Sequence, residues 1–205
     1  WEPVKLNKMV RKYQPDVVIS PRSGWEGDFQ CNEGDGKITG SVIATPWEKC
    51  LNLNQTTWGF NHEQKLMSLR EIITMLVNTV DRGGNMLLNV GPDADGIIPE
   101  THVARLKEVG KWLQKYGESI YGTRPGPFEP MDNFYGSVQK DNLIYLHLLR
   151  TENSLQLPPL PQKIASCRQM YGSVLEFTQD AKGITISLRK LVPDATVSTV
   201  VLECR

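Results

Sequence analysis

Arg22, Trp25, Glu26, Asp28, Glu33 and Asp35 fall within one short stretch of this chain. A carboxylate serves as a general acid or base when its surroundings tune its proton affinity. Glu33, in a Gly- and Asp-rich loop, is a candidate for that work. Left in water it is an ordinary solvated side chain. Glu26, Asp28 and Asp35 carry the same two readings. Arg22 offers a planar fork of donors to sugar hydroxyls or to a carboxylate, or else it pairs with a neighbour such as Asp28. Trp25, Trp47 and Trp58 either stack on the apolar face of a sugar or pack in a core. The chemistry these types share is acid–base work on a carbohydrate.

Other chemistries find less support. His62 has no Cys or His cluster around it and reads as a surface or supporting residue. Asp93-Ala94-Asp95-Gly96 lacks the further oxygen ligands of a calcium loop and reads as a turn. There is no P-loop, GxGxxG or GxSxG. No cofactor or metal is expected. Lys and Arg total 23, and so do Asp and Glu. This neutral balance gives no electrostatic case for nucleic acid or an anionic membrane. No apolar run approaches the ~20 residues of a membrane span. Cys31, Cys50, Cys167 and Cys204 are widely spaced and read as free thiols.

The candidate residues need strands and helices to hold them. Leu6, Met9, Val10 and Tyr13 have helical spacing, and Pro15 ends that helix. Val17-Val18-Ile19 reads as a buried parallel strand that runs out into the charged loop. Ser41–Thr45 and Cys50–Leu53 are further strand candidates. Ser68 and Glu71 form a capping box. Behind it, Ile72, Ile73, Leu76, Val77 and Val80 make one apolar face, and Gly83-Gly84 ends the helix. Asn85–Gly91 reads as a second buried strand, and Pro99 opens a helix that stops at Gly117. This strand–helix order predicts a parallel sheet. Gly122–Pro130 reads as a linker. Beyond it the period changes to two, with strands over Leu143–Leu149, Ser173–Phe177, Ile184–Leu188 and Val197–Leu202, and a hairpin turn at Asp180–Gly183.

Several of these blocks together resemble a known family. They are Gln14–Ile19, Arg22-Ser23-Gly24, Gly27-Asp28-Phe29 with Glu33, Pro46-Trp47-Glu48, and Thr57-Trp58-Gly59-Phe60. Further on come Gly83–Pro92 with Asp95-Gly96, Gly110–Leu113, and Gly117–Thr123. Over about residues 1 to 125 the chain resembles the C-terminal part of a glycoside hydrolase family 29 α-L-fucosidase. The resemblance implies a retaining hydrolase of terminal α-L-fucose, with a fucosylated glycan as substrate. By motif position Glu33 corresponds to the acid/base, Arg22 to an arginine that contacts fucose, and Trp58 to an aromatic lining the fucose pocket. Ser20-Pro21 stands where the family has Asn-Asp.

The expected architecture is α/β. Residues 1–122 would form the second half of a (β/α)₈-like barrel, 123–130 a linker, and 131–205 a small antiparallel β-sandwich. A whole barrel takes ~250 residues. The family's nucleophile, an aspartate in a Trp-Phe-Asp-Gly-type strand end, is therefore expected before Trp1, together with the histidines of the fucose pocket. Half a barrel needs its missing N-terminal half, or self-association, to cover an open edge. The opening at Trp1 reads as processing or as part of a longer polypeptide. The compartment stays open, with secreted, periplasmic and lysosomal-type settings all compatible. Two other readings remain. One is a non-catalytic carbohydrate-binding remnant that keeps Arg22 and Trp58. The other is a self-sufficient enzyme that uses Asp28 or Asp35 as a replacement nucleophile.

Overall fold

The computed structural model describes residues 2–34 and 36–205. The readings made for Trp1 and Asp35 lie outside them. Pro at the first turn starts α1 (Pro3–Tyr13), and β1 (Gln30–Glu33) and β2 (Trp47–Asn52) follow. Next come α2 (Leu69–Asp81), β3 (Gly84–Asn89) and α3 (Glu100–Tyr116). The three strands form a parallel sheet in the order β1-β2-β3. The capping box at α2 is present in both directions: the Glu71 amide donates to the Ser68 hydroxyl, and the Ser68 amide donates to the Glu71 carboxylate. Pro99 precedes α3 and Gly117 follows it.

The rest is antiparallel. Strands β4 (Arg124–Pro125), β5 (Tyr135–Lys140) and β6 (Leu143–Leu148) are followed by β7 (Ser154–Leu157) and β8 (Ile164–Gln169). Then come β9 (Phe177–Asp180), β10 (Gly183–Ser187) and β11 (Ser198–Cys204). They make a five-stranded sheet, β4-β5-β6-β11-β8, and a three-stranded sheet, β7-β10-β9. One core lies between these sheets, with Leu146, Leu155, Ile184, Ile186 and Val200 fully buried. A second core joins Ile72, Ile73 and Val77 of α2 to Val138, Tyr145 and Val201 on the other face of the five-stranded sheet. That sheet is therefore covered on both sides. Residues 123–130 are packed as well: Arg124 and Pro125 pair with β5, and Phe128 is buried.

Three sequence expectations change. Val17–Ile19 is not a strand, and Val18 is 67% exposed. A strand requires ladder partners, and here a loop takes that place. The Ile19 amide donates to the Asp28 carboxylate at 2.7 Å, and the Ile19 carbonyl accepts from the Asp28 amide at 2.9 Å. Ser41–Thr45 runs without strand pairing. The buried Arg82 guanidinium holds the start of this connection by donating to the Gly40 carbonyl at 2.9 Å and to Asp132 at 2.7 Å. Finally, the strand sought at Ser173–Phe177 lies at β9, because residues 169–173 form a turn closed by Gly172 N–H to the Gln169 carbonyl.

A buried polar chain ties the two cores. Asp81 ends α2, and its carboxylate lies 2.7 Å from His147 Nδ1 on β6. His147 Nε2 lies 3.1 Å from Ser119 Oγ, which donates to the Tyr116 carbonyl. Since the Ser119 proton is committed there, Nε2–H is the donor to Ser119. Asp81 and Nδ1 then share one proton. Burial pushes the Asp81 carboxyl upward, and His147 and Arg82 oppose that shift. Removing one partner of such a pair leaves the other uncompensated. Asp81→Ala is expected to lower unfolding stability by about 3–5 kcal/mol, read from the denaturant midpoint.

Candidate active site

In parallel α/β sheets, reactive groups gather where strands end. Glu33, Asn52 and Asn89 are the last residues of β1, β2 and β3. The parallel register brings these ends to one edge. Strand alternation places Cys31 and Glu33 on the same face of β1. Glu48 and Cys50 stand opposite them on β2.

Arg22 reaches this face from the loop before β1. It sits in a short turn, Pro21–Ser23, where the Ser20 hydroxyl accepts from the Arg22 amide. Its guanidinium meets the Glu33 carboxylate at 2.6 Å and donates to Cys31 Sγ at 3.2 Å. Cys31 Sγ in turn lies 3.9 Å from Glu48 Oε1. Glu33, followed by the Cys31 sulfur, raises the arginine's pKa, so the guanidinium stays charged. Both side chains of the ion pair are about half exposed, 51% for Arg22 and 45% for Glu33. A pair this wet contributes little to stability. Its donors and oxygens remain open to an incoming ligand.

Asp28 builds the loop rather than the Arg22–Glu33 face. Its carboxylate holds the Ile19 amide and takes both oxygens' worth of Arg11 Nη2, at 2.8 and 2.7 Å. Gly27 permits this approach: an added Cβ would stand 2.5 Å from Pro21 N. Arg22 thus pairs with Glu33 and not with Asp28.

Trp58 enters from the loop after β2. The Asn89 amide donates to the Trp58 carbonyl at 2.8 Å and to Asn52 Oδ1 at 2.7 Å. This one side chain links the ends of β2 and β3 to the tryptophan loop. Gly91 continues the contact, since a Cβ there would meet Gly59 C at 2.5 Å. Trp58 is 41% exposed and its ring is available. Trp25 is also exposed, whereas Trp47 is buried with its indole N–H on the Arg82 carbonyl. His62 is exposed and meets the Phe60 ring edge-on. Asp93 closes a turn by accepting from the amides of Asp95 and Ile97.

All four cysteines are free. Among the described residues no group of three or more His, Cys, Asp or Glu is placed to hold a metal ion. None of the described helices is long and apolar enough to cross a membrane. The reading of residue types gave no role to Asn52, Asn89 or Cys31. Their common signal was position: two asparagines end neighbouring strands, and Cys31 lies two residues before Glu33 on one face.

The chain as a whole is similar to known proteins. Residues 1–118 match the family model described as alpha-L-fucosidase. The tissue alpha-L-fucosidase of Rattus norvegicus is 33% identical over 193 residues, covering 86% of this chain and 41% of that protein. Among solved structures, alpha-L-fucosidase isoenzyme 1 of Paenibacillus thiaminolyticus superimposes with TM-score 0.83 at 27% identity, covering 100% of this chain and 54% of that one. An alpha-L-fucosidase of Bacteroides thetaiotaomicron, trapped as a covalent intermediate with 2-fluoro-fucosyl fluoride, shares the fold at TM-score 0.84 and 19% identity; it covers 100% of this chain and 53% of that one. The chain thus spans about two fifths of that curated relative's length and about half of these solved chains. The α/β fold with its sheets is the one those structures have.

The Asp28 geometry predicts an acid transition. Hydrogen bonding from the Ile19 amide, and then from Arg11, lowers the Asp28 pKa from 3.8. A lowered carboxyl stabilises the fold above its unfolded pKa of about 3.9, and that contribution disappears as pH falls through the native value. Exchange of the Ile19 amide, corrected for its intrinsic pH dependence, should accelerate in that acid window. In Asp28→Asn the window should vanish.

Proposed function

Because the chain belongs to the α-L-fucosidase family, we propose that it forms part of a retaining enzyme that releases terminal α-L-fucose from fucosylated glycans. The observation that carries the proposal is the Arg22–Glu33 pair, half exposed at the C-terminal edge of a parallel sheet. Glu33 is the acid/base. Arg22 holds fucose, and the Trp58 ring lines its pocket. Sugar hydroxyls that take the donors of Arg22 release Glu33 from its ion pair, and the freed carboxylate takes up a proton from water before the reaction starts.

The reaction then runs in two steps. Glu33 gives its proton to the glycosidic oxygen as the C1–O bond breaks, while a second carboxylate forms an ester at C1. Glu33 next takes a proton from water, which attacks C1 and frees both fucose and the second carboxylate.

The second carboxylate must lie ~5–5.5 Å from the first. Asp28 is spent on Arg11 and the Ile19 amide. Following what the family resemblance implies, we assign the nucleophile to an aspartate upstream of Trp1. In this proposal residues 1–122 supply the second half of a (β/α)₈-like barrel, and 131–205 form a β-sandwich domain. The rest of the barrel would cover the edge of β1 and the exposed α1 side chains Val4, Leu6, Met9 and Tyr13.

In a polypeptide that contains these residues and hydrolyses 4-nitrophenyl α-L-fucoside, Glu33→Gln should lower kcat/KM on a fucoside with an alkyl leaving group by about 10²–10⁴-fold. Arg22→Ala should act mainly through KM. Fucose binding without turnover by the unsubstituted protein would replace this reading with that of a binding protein.

A further inference from the structure

Lys49 lies in the middle of β2 and is 1% exposed. Lysine is almost never buried this fully unless it is paired. Its ammonium donates to Asn32 Oδ1 at 2.9 Å and to the Gly36 carbonyl at 3.1 Å. These acceptors bracket Glu33 in the chain, one residue before it and three after. Asn32 is also the register partner of Lys49 across the parallel ladder, and Glu33 is the partner of Cys50. The ladder continues past Glu33, with the Gly34 amide donating to the Cys50 carbonyl at 3.1 Å. Successive strand residues face opposite ways. Lys49 and Asn32 therefore meet on the reverse of the sheet from Glu33, and the cation grips the strand end and its outgoing loop from behind.

We propose that Lys49 is the positioning residue for Glu33. Its ammonium bridges Asn32 and Gly36, so that the backbone between them, and with it the direction of the Glu33 carboxyl, is held while the ion pair with Arg22 breaks and re-forms. An apolar side chain of the same length would leave the Asn32 and Gly36 acceptors without the ammonium that bridges them. A small displacement of a proton donor costs most where the leaving group depends on protonation. This inference rests on Glu33 being the acid/base.

The test uses the longest natural polypeptide containing these residues and two substrates, 4-nitrophenyl α-L-fucoside and methyl α-L-fucoside. Lys49→Met is expected to lower kcat on the methyl fucoside by about 10–10²-fold, with KM nearly unchanged and the nitrophenyl substrate affected several-fold less. Equal losses on both substrates, or no loss in a folded protein, would overturn the inference. If Lys49→Met does not fold, Asn32→Ala removes one acceptor from an exposed residue. The same unequal loss at an unchanged melting temperature then supports the inference, and equal or absent loss overturns it. Glu33→Ala measured in parallel separates the two claims. If Glu33→Ala spares both substrates, the acid/base assignment itself falls. If Glu33→Ala discriminates between them and the Lys49 and Asn32 variants do not, only the role of Lys49 falls.

Discussion

The fold depends on a carboxylate buried where α2 ends. Asp81 is 1% exposed and meets His147, which is itself fully buried. The pair spans 66 positions of sequence and joins the helix over the parallel sheet to a central strand of the five-stranded sheet. Taking two such groups out of water is costly, and the pairing is worthwhile only in one geometry. It therefore sets how the helix end approaches β6. Arg82, the next residue, uses the same helix end to hold Gly40 and Asp132.

That placement matters for the site. With α2 packed against both layers, β2 and β3 lie side by side in parallel, and their ends and that of β1 face one edge. The edge collects short hydrogen bonds from side chains distant in sequence. Asn89 gathers Asn52 and the Trp58 carbonyl, Arg22 gathers Glu33 and Cys31, and Lys49 gathers Asn32 and Gly36. Little stability comes from the wet Arg22–Glu33 pair. The stability lies behind it, in apolar burial and in the Asp81 and Arg82 networks. Arg22 and Glu33 can then stay exposed on a frame that does not rely on them.

Legibility varied with the range of the interactions. The α2 capping box, the limits of α3 and the turn between β9 and β10 rest on contacts within a few residues, and their side chains announce them. Strand β5 offered no alternation because cores cover both of its faces; Tyr135, Gly136, Ser137 and Val138 are all buried. Val17–Ile19 misled for a different reason. Three β-branched residues favour a strand, yet Asp28 and Arg11 occupy the backbone groups a ladder would need.

By itself the sequence determined the α2 capping box, the limits of α3, the turn between β9 and β10, the neutral charge, and the motif blocks that mark the α-L-fucosidase family. It also singled out Glu33, Arg22 and Trp58 as residues of interest. Only the tertiary structure decided that Arg22 pairs with Glu33 rather than Asp28, that Asp28 serves a loop, that Trp47 is core while Trp58 is exposed, and that Lys49 is buried beneath Glu33. The reason is physical. Residue type sets what a side chain can do, but its partner is chosen by which backbone segments packing brings within about 3 Å of it, and those partners lie between 9 and 35 residues away in the chain.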